Sequence, residues 1–198
     1  MKAEIVLVPG LWMPAAAMAL LGARLGYKFR LFAYRGRDPY EGNVEALARF
    51  SGGKRLFVGH SLGGVLILDM LNRHPEIAAD AVVLLGAPAR GSLAGRRLAR
   101  GRLGRWMMGA CCPVWQERPA RWTRAVPLGI VAGTLPLGLG RTFGGVLPGP
   151  NDGVVCVDET TVEGMTERAL VRQGHSMLIV SKSVGGLVGR FLASGRFE

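Results

Sequence analysis

Ser61 stands in Gly59-His60-Ser61-Leu62-Gly63, between an apolar run at Leu56, Phe57 and Val58 and a second one beginning at Leu66, Ile67 and Leu68. A serine between glycines at this spacing suits a chain reversal sharp enough to lift the hydroxyl clear of the backbone. A helix that starts there points its first amides at the same spot, where they can stabilise an anion. That combination is the chemistry of a nucleophilic serine attacking an acyl carbon. With 30 glycines in 198 residues, a Gly-x-Ser-x-Gly match is not specific by itself. The plainer alternative is a glycine-rich turn whose serine merely caps the helix. Strand formers before the turn and helix formers after it favour the reactive reading.

A serine needs a base, and the chain has only three histidines. His60 adjoins the serine within the turn, and His74 precedes Pro75 at a helix end, where it reads as a C-terminal cap. His175, in Gln173-Gly174-His175-Ser176, follows the last strand-like run and is the candidate base. An acid to orient it is expected in the preceding loop, Pro148-Gly149-Pro150-Asn151-Asp152-Gly153. Asp152 would accept the Nδ1 hydrogen of His175 and stabilise the imidazolium. Asp158 and Glu159 are rival acids, and an ordinary Asn-Asp-Gly turn is the unreactive reading of Asp152. The chain order Ser61, Asp152, His175 is that of serine-elbow enzymes.

These residues must be positioned by a scaffold. Short apolar or β-branched runs at Ile5–Val8, Phe29–Ala33, Leu56–Val58, Val82–Leu85, Leu128–Ala132 and Ala169–Val171 read as six strands. Helix-like stretches at Ala15–Leu25, Val44–Phe50, Leu62–Arg73, Ser92–Trp106 and Leu178–Leu192 alternate with them. Strands apolar on both faces, alternating with helices, predict an α/β chain with a mostly parallel, doubly covered sheet. Its C-terminal edge is where ligands gather.

With that scaffold the chain resembles the α/β-hydrolases of the small lipase and esterase type, from Ile5 to about Phe191. Val8-Pro9-Gly10-Leu11-Trp12, Gly59 to Gly64, Asn151-Asp152-Gly153 with Gly174-His175, and Leu84-Leu85-Gly86-Ala87-Pro88 carry the resemblance. It implies a reduced fold lacking the first two antiparallel strands, the catalytic set Ser61, Asp152 and His175, and an oxyanion hole from the amides of Leu11 and Leu62. No metal or organic cofactor is implied. Where such lipases usually have His-Gly after the first core strand, this chain has Pro9-Gly10. The proline leaves both amide donors in place, but whatever the histidine did to hold the loop must be done otherwise. Trp12 and Met13 are expected to line the acyl side of the site.

The charge is concentrated. Between Arg90 and Arg124 stand nine arginines and one acid, Glu117, in a chain with 25 basic and 14 acidic residues and net charge +11. Residues 90–126 are read as an arginine-rich helical cap inserted into a single domain spanning 1–198. Trp106, Met107, Met108, Trp115 and Trp122 interleave with the charges, which suits a lipid interface or an anionic substrate. Arg96, Arg97 and Arg100 are the expected contacts to an anionic membrane surface or acyl carrier. A solvated basic surface is the plainer alternative, and no nucleic-acid recognition motif is present.

Three cysteines cannot form a paired framework, and neither the N-terminal apolar run nor Val126–Gly140 is a convincing export or membrane segment. A cytoplasmic protein, peripheral to membrane at most, is expected. Together these features predict hydrolysis of small-molecule, lipid-like acyl esters. A thioesterase or acyltransferase using an acyl carrier, and a catalytically silent binding module of the same fold, are the alternatives.

Overall fold

A computed structural model of the chain describes residues 4–53, 55–137 and 145–198. The last residues of the apolar stretch Val126–Gly140 lie outside them. Six strands form one sheet in the order β2-β1-β3-β4-β5-β6. They are β1 (Glu4–Val8), β2 (Lys28–Leu31), β3 (Leu56–His60), β4 (Ala81–Leu85), β5 (Leu128–Gly133) and β6 (Glu167–Val171). All five neighbouring pairs are parallel.

The alternation of side chains along each strand explains why the sheet is covered twice. Val6, Val8, Phe57, Val82, Leu84 and Ile130 enter one apolar layer. It is completed by α2 (Tyr40–Phe50) and α3 (Leu62–Arg73). Ile5, Leu7, Val58, Val83, Leu85 and Val131 enter the other, against α1 (Ala19–Leu25) and α6 (Lys182–Ser194). The inner strands β1, β3, β4 and β5 are almost wholly buried, and the edge strands β2 and β6 are partly exposed. Each buried Leu, Val or Phe contributes about 1.5–3 kcal/mol by leaving water, so the centre of the sheet is its most rigid part.

The strand reading from the sequence holds, with ends shifted by a residue or two. Helix ends differ more. The stretch Ala15–Leu25 opens as a 3-10 turn, Ala15–Met18, before α1. The stretch Ser92–Trp106 is two short helices, α4 (Leu93–Ala99) and α5 (Arg102–Met108), because Gly101 takes an extended conformation between them. Leu178–Leu192 likewise divides into a 3-10 turn, His175–Ile179, and α6, whose first turn is capped by Ser181.

Candidate active site

Ser61 links β3 to α3 at the centre of the sheet with φ 51 and ψ −125, a conformation that L residues rarely adopt. Its hydroxyl makes no capping hydrogen bond to α3, although it occupies the cap position. The turn is held instead by its backbone, with the Ser61 amide donating to Leu85 O at 2.9 Å. The flanking glycines have a steric cause. A Cβ on Gly59 would stand 2.5 Å from Gly64 Cα, and one on Gly63 would stand 2.3 Å from Pro9 O. Strand, helix and the loop after β1 therefore meet at a distance only glycine permits.

Asp152 and His175 come together at the end of the sheet. The His175 Nδ1 to Asp152 Oδ2 distance is 2.7 Å, and the Asp152 side chain is 1% exposed. The other carboxylate oxygen, Oδ1, accepts from the amides of Val154 at 2.9 Å and Val155 at 2.7 Å. An acceptor-only carboxylate so placed makes Nδ1 the protonated nitrogen and leaves Nε2 to act as a base. The His175 backbone is fixed too, its amide donating to Asp152 O at 2.9 Å. Gly86, at the end of β4 with φ 55, clears the space: a Cβ there would lie 3.0 Å from Asp152 Oδ2 and 3.2 Å from His175 Nδ1. The rival acids lie away from His175. Asp158 is exposed beside a separate cleft with Arg90 and Arg118, and Glu159 accepts from the amides of Leu93 and Cys156.

Sequence reasoning passed over His60 as a mere neighbour of the serine. Its Nε2 lies 3.1 Å from His175 O, and the two rings are 4.6 Å apart. A carbonyl can only accept, so Nε2 carries the hydrogen and donates. Burial, and then the neighbouring His175, push the His60 pKa from its ordinary 6.5 to about 3, which keeps the ring neutral. His60 thus straps the histidine loop to the strand bearing Ser61. Its position next to Ser61 was visible in the sequence, but its partner lies 115 residues away.

The loop after β1 is secured without the usual histidine. Tyr34 Oη donates to Pro9 O at 3.1 Å, and desolvation, with Cys111 adding to it, holds that phenol far above its ordinary range and therefore neutral. Trp12 takes φ 62 and donates from Nε1 to Met107 O at 3.0 Å, joining this loop to α5. Leu62 is the first residue of α3, so its amide has no partner within the helix. The thiol of Cys156, near the acid, is no competing nucleophile, since burial and then Glu159 push it up to about 12.

Ser61 and His175 line one cavity of about 770 Å³. No hydrogen bond joins them among the described residues. In unliganded hydrolytic sites such contacts are often long and tighten only around substrate. Leu11, Trp12 and Met13 form one side of the cavity, while Leu98 on α4 and Met107 and Met108 on α5 form another. The predicted cationic contacts separate. Arg96 pairs with Glu117 at 2.9 Å, and Arg97 donates to Val146 O at 2.9 Å, whereas Arg100 is exposed. Arg118 forks onto Asp69 at 2.8 and 3.0 Å, and Arg124 donates to the carbonyls of Leu71, His74 and Ile77. Part of the arginine excess is therefore structural. Among the described residues no three His, Cys, Asp or Glu side chains converge as metal ligands, and no helix is long and apolar enough to cross a membrane.

Comparison with known proteins agrees with this architecture. The profile described as the alpha/beta hydrolase family matches residues 5–182. The mature lipase BlEst2 of Bacillus licheniformis is 21% identical with a TM-score of 0.73, the match covering 98% of this chain and 92% of that one. A pyrethroid hydrolase from Sphingobium faniae JZ-2 is 13% identical with a TM-score of 0.62, covering 98% of both chains. The RedJ thioesterase of the prodiginine pathway in Streptomyces coelicolor is 15% identical with a TM-score of 0.60, covering 98% of this chain and 90% of its own. At these identities the likeness is one of fold. No curated protein sequence matches the chain.

Proposed function

The chain belongs to the alpha/beta hydrolase family, and from that premise we propose that it hydrolyses carboxylic esters with an apolar acyl group through Ser61, His175 and Asp152. The observation that carries the proposal is the buried 2.7 Å Asp152–His175 hydrogen bond beside the strained Ser61 turn, at one cavity. His175 Nε2 takes the proton as Ser61 Oγ attacks the acyl carbon, and Asp152 stabilises the imidazolium. The amides of Leu11 and Leu62 receive the charge that develops on the carbonyl oxygen. The protonated histidine then gives its proton to the leaving alcohol. Water, deprotonated by the same nitrogen, releases the acid from the acyl-enzyme.

The mostly apolar lining supports an apolar acyl group, because burying such a chain is favourable while a charged one would lose its hydration unpaired. Residues 90–126 act as the cap of this site, with α4 and α5 along the acyl channel.

The test is labelling with a fluorophosphonate, which reacts with a serine activated by a base, followed by hydrolysis of an aryl-ester series of rising acyl length and of a matched thioester. The wild-type protein labels and turns over the longer acyl esters best. Ser61→Ala does neither while keeping its circular dichroism spectrum. Labelling that persists in Ser61→Ala would refute the assignment, and absence of labelling in the wild type would favour a silent binding module.

A further inference from the structure

The cavity mouth carries an unusual surface. Trp12 and Leu137, both lining the cavity, are more than half exposed, and Met177 beside them is half exposed. The bond from Trp12 to Met107 O makes α5 continuous with this rim. There Leu103 and Trp106 are 68% and 61% exposed, one turn apart on the helix. Large apolar side chains usually seek the interior, so several exposed at the mouth and on the helix joined to it mark a binding surface.

The charge next to them is mostly positive. The Arg37 guanidinium lies over the Trp106 ring, 4.5 Å from its centroid, and Arg100, Arg102 and Arg105 are exposed along the α4–α5 junction. Against these stand Asp38, one residue after Arg37, and Glu117, which is engaged by Arg96. Arg96 and Arg97, expected from the sequence to face an anionic partner, are turned to internal contacts instead.

We propose that this rim is the docking face for an anionic bilayer, with Trp106, Leu103 and Trp12 entering the headgroup boundary and Arg37, Arg100 and Arg102 meeting lipid phosphates. Protruding tryptophan and leucine flanked by arginine match the two components of peripheral membrane binding, apolar insertion and attraction to negative lipid. A soluble acidic carrier protein would use the charges but would leave the protruding apolar side chains without a hydrocarbon phase. Docked in this way, the cavity opens onto the membrane, and its ester substrate enters from the lipid. That last step rests on the hydrolase reading above, while the docking itself does not.

The experiment therefore uses the full chain carrying Ser61→Ala, which can bind but not consume lipid. Its partitioning is measured onto vesicles of phosphatidylcholine with 30% phosphatidylglycerol and onto pure phosphatidylcholine, with tryptophan quenching by brominated lipid as depth gauge. Binding is expected only to the anionic vesicles, with quenching that falls in Trp106→Phe. Arg37→Gln, Arg100→Gln and Arg102→Gln each weaken it about fivefold, and together about a hundredfold. Raising salt from 0.1 to 0.5 M acts in the same direction. Leu103→Ser with Trp106→Ser weakens it at every salt concentration. Arg121→Gln, at an ion pair with Glu163, leaves it unchanged. Equal binding to both vesicles, no binding, no effect of the arginine replacements, or binding to an acidic acyl carrier protein in place of vesicles would overturn the proposal. Absence of esterase activity in the wild-type chain, with vesicle binding intact, would instead refute the hydrolase reading.

Discussion

The two walls of the cavity are built to opposite rules. On the sheet side Asp152 and His175 are buried, and both their side chains and their backbones are engaged by partners. On the other side α4 and α5 are seven residues each, separated at Gly101, and carry exposed Leu103, Trp106, Arg100 and Arg102. Short helices have little stability of their own and depend on what they pack against. The sheet wall is therefore held by more fixed contacts than the α4–α5 wall. On the function proposed above, a fixed reacting centre facing two short apolar helices would suit one chemistry on acyl groups of varied length.

The largest effect is expected at the serine. Ser61→Ala is expected to lower kcat on any ester by roughly 10⁶, leaving only the contribution of the oxyanion site and binding. Next comes the acid. Asp152→Asn should cost on the order of 10⁴ in kcat with KM little changed, because the amide favours the wrong imidazole tautomer. Asp158→Asn should cost less than threefold. A reversal of that order in steady-state kinetics would move the acid to Asp158.

His60 tests whether the sheet wall works by fixing geometry. His60→Leu fills the volume but gives no donor to His175 O, so kcat should fall about ten- to a hundredfold with KM nearly unchanged. His60→Gln offers an amide donor and should recover part of the loss. If His60 only filled space, the leucine variant would be the more active. The same residue predicts a pH effect on stability. Its folded pKa of about 3 lies below the ordinary 6.5, so the unfolded chain binds the extra proton. Stability should therefore be fully present above pH 6.5 and decline as pH falls toward 3. Urea midpoints across that range should show this decline, reduced in His60→Leu. Smallest of all, replacing Arg100 and Arg102 by Gln should change turnover of a short, soluble ester by less than twofold, since the sheet wall is untouched.

Sequence legibility follows the same division. The strands were readable because each is a short apolar run, and Ser61 because sharp turns have few residue solutions. His175 was reached by elimination among three histidines and by its place after the last strand, and Asp152 by the loop before that strand, which a parallel sheet converts into nearness along one edge. What escaped depends on pairings between distant segments. Arg118 and Arg124 look like any other basic residues of the cap region until Asp69 and the end of α3 are brought to them. His60 shows its donor role only against His175 O. The break of the stretch Ser92–Trp106 into two helices was signalled by Gly101, but glycine alone does not say where a helix stops.

The parallel order of the sheet also sets a schedule. No two neighbouring strands are joined by a hairpin, and β6 with the turn bearing His175 is made more than a hundred residues after Ser61. At about 5–20 residues per second, a growing chain carries its serine for roughly 6–23 s before His175 has been synthesised. On the reading proposed above, the nascent polypeptide is chemically unarmed until β6 closes the sheet. The ribosome thus handles an inert precursor, and reactivity begins only once folding has buried Asp152 beside His175.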